Sequence, residues 1–283
     1  MATFFNQATL SYNDTIINSN ITTGELQEVL SITKTAVLDT YAQSDEVTYV
    51  INIRNTGALA YNDLTLTDNL GAYTAGSLTL VPLTYEAGSV TYFLGGIPQP
   101  TPTVTAGPPL AISGINIPAG GVATLIYTAK TNQFAPLDIG STIVNTATLT
   151  GGGITPISAT ETITVAEEAN LTISKSLCPT VVTENGQITY TFVIQNIGNT
   201  AVIATDNAVI SDTFDPILSN LAVAFNGAAW TTPANYTYNA GTGLFTTNPG
   251  QITVPAATYT QDPTTGVYLI QPGVSTLTVT GTV

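Results

Sequence analysis

The sequence predicts an all-β chain of two tandem sandwich modules, and three observations carry that prediction. Thr, Val, Ile and Tyr are abundant in its apolar runs, and these residues fit a pleated, half-buried surface. Its 24 Gly and 16 Pro are scattered between short runs, as turns between strands require. The chain also repeats itself: Leu30-Ser31-Ile32-Thr33-Lys34 returns as Leu171-Thr172-Ile173-Ser174-Lys175. At 283 residues and 43% hydrophobic content, there is material for two cores. No amphipathic helix longer than a turn or two is evident. The nearest candidate, Gly24–Leu30, is read as non-helical.

The repeat sets the element order. The interval from Lys34 to Tyr49 equals that from Lys175 to Tyr190. The strands around the tyrosines match, Val47–Ile53 with Ile188–Ile194, and both run into an Asn-x-Gly turn, Asn55-Thr56-Gly57 and Asn196-Ile197-Gly198. Leu64-Thr65-Leu66-Thr67-Asp68 then matches Ala208-Val209-Ile210-Ser211-Asp212, and Gly121–Leu125 matches Gly273–Leu277. Module one continues through Ile143-Val144-Asn145-Thr146-Ala147-Thr148-Leu149. The same spacing from Gly273 runs past Val283. The matching segment stands instead at the front, as Phe4-Phe5-Asn6-Gln7-Ala8-Thr9-Leu10. Asn6 precedes Lys34 by nearly the interval at which Asn145 precedes Lys175. The expected organisation is therefore an N-terminal donor-strand segment (1–24), a complete sandwich (25–165) and a sandwich lacking its last strand (166–283). An incomplete sandwich exposes an unpaired edge and an open core, and a strand from a neighbouring copy would fill both. Donor and acceptor at opposite ends make a heterologous contact, which generates open filaments. The alternatives are a module that tolerates the gap, or an N-terminal strand that folds back within one chain.

Composition narrows the function classes. Net charge is −14, with Lys34, Arg54, Lys130 and Lys175 as the complete basic set, so nucleic acid and anionic membrane are poor partners. The acidity keeps a β-rich surface soluble. There is no His, which removes the commonest general base and metal ligand. No calcium-loop spacing or Gly-rich phosphate loop occurs, and no cofactor or metal is expected. The lone Cys178 excludes an internal disulfide and reads as a small, half-buried residue. No stretch has the length of a membrane span. The N-terminal MATFFNQATL has no basic region and no cleavable apolar run, so it reads as lacking a secretory signal. No wall-sorting tail is read at the other end.

Strand alternation selects the residues that carry chemistry. Leu30, Ile32 and Lys34 share one face, as do Leu171, Ile173 and Lys175. Asn145 is in phase with Ile143, Ala147 and Leu149; Asn6 with Phe4, Ala8 and Leu10; Asp68 with Leu64 and Leu66; and Asp212 with Ile210. Lysine and aspartate pointing into a core shift toward their neutral forms. A neutral amine beside a protonated acid and an amide is a reactive set. The amine attacks the Asn side-chain carbon, while the acid polarises the carbonyl and shuttles protons to departing ammonia. The product is a Lys–Asn isopeptide bond. The assignment is Lys34–Asn145 with Asp68 in module one, and Lys175 with Asp212 to Asn6 of the next copy. Glu161 is a second, weaker candidate acid. The plainer alternative is a buried Lys–Asp ion pair with Asn as a hydrogen-bond partner. Lys130, aligned with Thr282, reads as a solvated charge.

The run of Lys after an Ile-x-x strand, Thr-Tyr-x-Ile, Asn-x-Gly, Thr-Asp and Asn-x-Ala-Thr resembles a bacterial surface repeat family with an immunoglobulin-like sandwich. The family is catalogued as a conserved domain of unknown function. The resemblance covers nearly the whole chain, as one complete and one truncated copy. It implies self-formed isopeptide bonds at the positions above. A 29.3 kDa chain of two such modules also resembles the major proteins of ribbon-like appendages on spores of anaerobic spore-formers. That likeness implies a subunit made inside the mother cell and assembled on the spore surface, partnered by copies of itself and associating sideways into ribbons. The function expected is thus a structural fibre subunit and not a turnover enzyme, its bond-forming chemistry being single-use. The alternative is a surface adhesin or ligand-binding protein. That reading would use the Leu80–Pro109 stretch or the Trp230–Tyr238 region, both of which read equally as long loops or extra hairpins.

Overall fold

The computed structural model describes residues 2–283, which are all-β apart from one short 3-10 turn at Ala204–Asp206. Met1 of the N-terminal segment lies outside the described residues. The N-terminal arm carries β1 (Ala2–Asn6), β2 (Thr9–Tyr12), β3 (Thr15–Asn18) and β4 (Thr22–Leu26). β2 pairs with β3 across a two-residue turn and β1 pairs with β4, so the arm is one antiparallel hairpin. At the turn, Asn13 and Asp14 both have positive φ (45° and 61°), the conformation that lets two strands reverse without splaying. The repeat predicts a single strand here. The returning strand leaves no such signal, because nothing in it repeats a landmark of the modules.

Module one contains β5 (Leu30–Ala36), β6 (Thr40–Tyr41), β7 (Glu46–Asn55), β8 (Tyr61–Asp68), β9 (Tyr73–Ala75), β10 (Leu78–Leu80), β11 (Leu83–Tyr85), β12 (Thr91–Leu94), β13 (Ile97–Gln99), β14 (Thr103–Thr105), β15 (Leu110–Ile117), β16 (Val122–Thr131), β17 (Thr142–Thr150) and β18 (Ile157–Val165). One sheet runs β13-β12-β16-β7-β5, with β11 also on β16; the facing sheet runs β14-β15-β8-β17-β18-β6. Strict alternation builds the core between them: Val47, Tyr49, Ile51 and Ile53 from β7 meet Leu125 and Tyr127 from β16 and Ile112, Leu64 and Leu66 from the opposite sheet. The Leu80–Pro109 stretch forms short strands at the sheet margins, among them the hairpin β12–β13.

Module two contains β19 (Leu171–Cys178), β20 (Gln187–Asn196), β21 (Ser211–Thr213), β22 (Ser219–Phe225), β23 (Ala228–Trp230), β24 (Tyr236–Asn239), β25 (Leu244–Thr247), β26 (Thr258–Gln261), β27 (Tyr268–Gln271) and β28 (Gly273–Thr282). Its first sheet, β19-β20-β28-β22-β23, faces a three-stranded one, β21-β25-β24. A separate core forms around Phe192, Ile194, Phe214, Phe245, Leu277 and Val279. The Trp230–Tyr238 region belongs to this packing. Trp230 stacks on Phe225, Tyr236 packs on Phe245, and the Tyr238 hydroxyl donates to Leu218 O. The hairpin β26–β27 reaches back to module one. Tyr259 and Ile270 pack on its core, Gln261 donates to the Tyr73 hydroxyl at 3.0 Å, and Tyr268 N–H donates to Gln133 O at 3.0 Å.

In both modules the Asn of the Asn-x-Gly turn is buried and braces the loop. Asn55 donates to Leu59 O and Pro118 O and accepts from Gly57 N–H; Asn196 donates to Thr200 O and Pro255 O and accepts from Gly198 N–H. A Cβ on Gly198 would fall 2.2 Å from Glu168 O, so only glycine fits there.

Candidate functional site: two lysine–aspartate pairs

Four strands converge on the first pair. β5 carries Lys34, β8 ends in Asp68, β16 carries Tyr127 and β17 carries Asn145. The alternation read from sequence holds, and all four side chains are buried. They form a continuous chain: Lys34 Nζ to Asp68 Oδ2 at 2.5 Å, the Tyr127 hydroxyl to the same oxygen at 2.8 Å, and Asn145 Nδ2 to the Tyr127 hydroxyl at 3.1 Å. The backbone holds the far ends. Leu70 N–H donates to Asp68 Oδ1 at 3.0 Å, and Gly71 N–H donates to Asn145 Oδ1 at 3.2 Å. The Lys34 ammonium lies 4.5 Å from the Tyr49 ring centroid.

Burial lowers the Lys34 pKa to about 8, although Asp68 and, more weakly, Glu161 act against it. At pH 7 a lysine of pKa 8 is free amine roughly 300 times more often than an ordinary one. Burial, then the Asp68 carboxylate, push the Tyr127 hydroxyl well above its ordinary value, so it stays a donor. Burial likewise raises the Tyr49 hydroxyl, whose oxygen makes no hydrogen bond. Glu161 sits directly opposite Asn145 on β18, half-buried.

The arrangement has the parts of an amide-transfer site. A lysine weakened as a base touches a carboxylate that can take its proton. The carbonyl oxygen of Asn145 accepts from the Gly71 N–H, a donor placed where negative charge would develop on attack. Tyr127 ties the Asn145 nitrogen, the group that would leave, to the acid. Sequence reasoning missed Tyr127, whose available signal was an inward phase with Leu125 and Ala129. Gly71 could not be found that way, because its role lies in the backbone.

The second pair differs. Lys175 and Asp212 form an ion pair, and Lys175 lies 4.4 Å from the Tyr190 ring centroid as Lys34 does from Tyr49. Its surroundings are open: the Lys175 side chain is 39% exposed, against 0% for Lys34. Beyond the Lys175 ammonium, Asp212 Oδ2 has no partner, and the position matching Tyr127 is Val279. Alternation predicts Lys175 in a core, but every residue of β19 is exposed, because no strand lies over it as β18 lies over β5. Cys178, expected to be half-buried, is exposed at the end of the same strand, on the opposite phase from Lys175, as its counterpart Val37 is in module one. Asn6 is not at this site. It lies on the arm, paired with Thr22 and exposed to solvent.

Among the described residues no group of His, Cys, Asp and Glu could hold a metal ion, and no helix is long and apolar enough to cross a membrane. Lys130 lies on the outer phase of β16 opposite Glu46, half-buried.

No family model matches the chain, and no curated protein sequence matches it. Solved structures do. The pilus backbone RrgB of Streptococcus pneumoniae aligns over 86% of this chain and 55% of its own length, at 12% identity and a TM-score of 0.36. The major pilin subunit BcpA of Bacillus cereus aligns over 95% of this chain and 73% of its own, at 13% identity and a TM-score of 0.36. The collagen-binding subdomain of the Enterococcus faecalis surface protein ACE aligns over 50% of this chain and 99% of its own, at 8% identity and a TM-score of 0.31. The chain spans about half the length of the pneumococcal backbone.

Proposed function

We propose that this chain is the structural subunit of a fibre that polymerises head to tail, each copy lending its Asn6 strand to module two of the next, with Lys–Asn isopeptide bonds within and between copies. One observation carries this reading: the Lys–Asp pair of module one is enclosed with an Asn, while the repeated pair of module two stands open and its matching Asn lies on an exposed arm. In each bond Lys Nζ attacks Asn Cγ, the Nζ–Cγ bond forms and the Cγ–Nδ2 bond breaks. The proton lost by Nζ passes through the Asp carboxyl to the nitrogen that leaves as ammonia. No oxidant or cofactor enters. Asp68 and Asp212 are the proton shuttles, Lys34 and Lys175 the nucleophiles, and Asn145 and Asn6 the acceptors. The products are uncharged amides, which removes the cost of a buried ammonium. The resemblance of the repeat to spore-appendage proteins supports a spore-surface or other extracellular location, with sideways association into ribbons.

The test is intact mass under denaturing conditions, on material boiled in detergent. A ladder of multimers lacking one ammonia per bond is the expected result. A monomer lacking one ammonia would leave only the Lys34–Asn145 bond standing, and a monomer at full mass would return both pairs to plain ion pairs.

A further inference from the structure

We infer that the unit received by module two is the entire N-terminal hairpin of a second copy, residues 2–26, seated in the register that β17–β18 adopts on module one; this deepens, and rests on, the head-to-tail reading above. The β1–β4 half of the hairpin shares its pairing frame with β17–β18, and beyond it β2–β3 is shifted by one residue, with Thr9 opposite Asn18. Asn6 lies opposite Thr22, and Asn145 opposite Glu161, with the same interval along the chain between the members of each pair. One step outward on the same face, Phe4 lies opposite Gly24 where module one has Ile143 opposite Ile163. The β1–β4 pair is thus a second edition of the hairpin that closes module one, with a large–small pair replacing two of middle size. Phe4 covers Gly24 so closely that a Cβ there would fall 2.3 Å from its ring.

Donor and acceptor are exposed in complementary ways. An isolated two-stranded hairpin is marginal in water, yet this one presents Phe4, Phe5, Leu10, Tyr12, Ile16 and Ile17 to solvent. On module two, Leu171, Ile173 and Leu177 of β19 are exposed, Ile173 to 58%. Their counterparts Leu30, Ile32 and Ala36 pack on the core of module one, beside β18. The backbone edge matches as well. β8 bonds on both sides, to β15 and to β17, whereas β21 bonds only to β25.

Carrying the module-one register across fixes the contact. Ala147 opposes Asp68, Thr148 opposes Thr67 and Leu149 opposes Leu66. In the assembled pair, therefore, Ala8 opposes Asp212, Thr9 opposes Ser211 and Leu10 opposes Ile210. Strand β4 then takes the place of β18 beside β19 and covers Ile173. Thr22 arrives where module one has Glu161, so the joint between copies contains Asp212 as its one acid. Module one, by contrast, has two carboxylates acting on Lys34.

The experiment uses the full chain with Cys178→Ser as background, compared before and after assembly. Thr9→Cys with Ser211→Cys is expected to form a disulfide between copies. Ser11→Cys with Ser211→Cys, out of register on the same face, is not, because its Cα atoms lie beyond bridging distance. Separately, maleimide labelling of Ile173→Cys is expected to fall on the order of tenfold or more on assembly, since a buried thiol reacts only through local opening. Polymers in which Ile173→Cys stays fully reactive would overturn the hairpin and leave a single donated strand. Polymers that cross-link only through the Ser11 pair would overturn the register. Absence of polymers of any kind, boiled or native, would overturn the head-to-tail reading itself.

Discussion

The same Lys–Asp pair occurs twice in this molecule, once closed and once open. In module one, Lys34 and Asp68 are sealed beneath β17 and β18 with Tyr127 and Asn145 in contact, and burial has lowered the lysine pKa to about 8. In module two, Lys175 and Asp212 make the matching ion pair over the matching ring, Tyr190, but the lysine is exposed to solvent. The difference teaches that the pair alone does not make the site. What sets Lys34 apart is the hairpin β17–β18 beside it, which accompanies its burial and carries Asn145. Under the proposed function, a site completed only when a second chain covers it would be inert in the monomer and reactive in the polymer, which would confine bond formation to correctly docked copies.

The sharpest break of that comparison is Asn6→Ala. It should abolish the covalent ladder while both modules stay folded and the monomer still lacks one ammonia; denaturing electrophoresis and intact mass read both outcomes. Asn145→Ala acts on the closed site instead. It should restore one ammonia to the monomer and lower module-one stability by about 4–5 kcal/mol, the chain-entropy value of a cross-link closing a loop of roughly a hundred residues, measured by chemical denaturation. Tyr127→Phe should slow bond formation in module one and cost about 1–3 kcal/mol by leaving buried polar partners unsatisfied. The ladder should be untouched, because Val279 stands at that position in module two. Time-resolved mass of freshly refolded chain separates the two rates.

A smaller effect sharpens the electrostatic side of the comparison. In Asn145→Ala the lysine remains free to titrate. Its folded pKa of about 8 lies below its ordinary 10.5, so the unfolded chain binds more protons between those values and stability rises with pH across that window. The gain should be about 1–2 kcal/mol between pH 8 and 9.5. Above about 10 the raised Tyr127 and Tyr49 hydroxyls oppose it, because the unfolded tyrosines ionise first. Flat stability from pH 8 to 9.5 would show that Lys34 is not held in a desolvated pocket.

Much of this was legible in the sequence by itself. A two-residue period put Lys34, Asp68 and Asn145 on inward phases, and the return of the same landmarks in the second module aligned Lys175 and Asp212 with them. Strand composition and scattered turn residues were enough for the all-β class, because alternation and turn chemistry are properties of neighbours along the chain. Only the tertiary structure decided the rest. It brought Tyr127 between acid and amide and aimed the Gly71 N–H at Asn145. It folded the Asn6 strand back on residues 15–26 as a hairpin, and docked β26–β27 of module two onto module one. It also left β19 uncovered, so that Leu171, Ile173 and Lys175, whose alternation looks like that of a core strand, face solvent. The physical reason is that phase along a strand says which way a side chain points. Burial and altered pKa depend on what lies across from it, and that partner is set by contacts far apart in sequence.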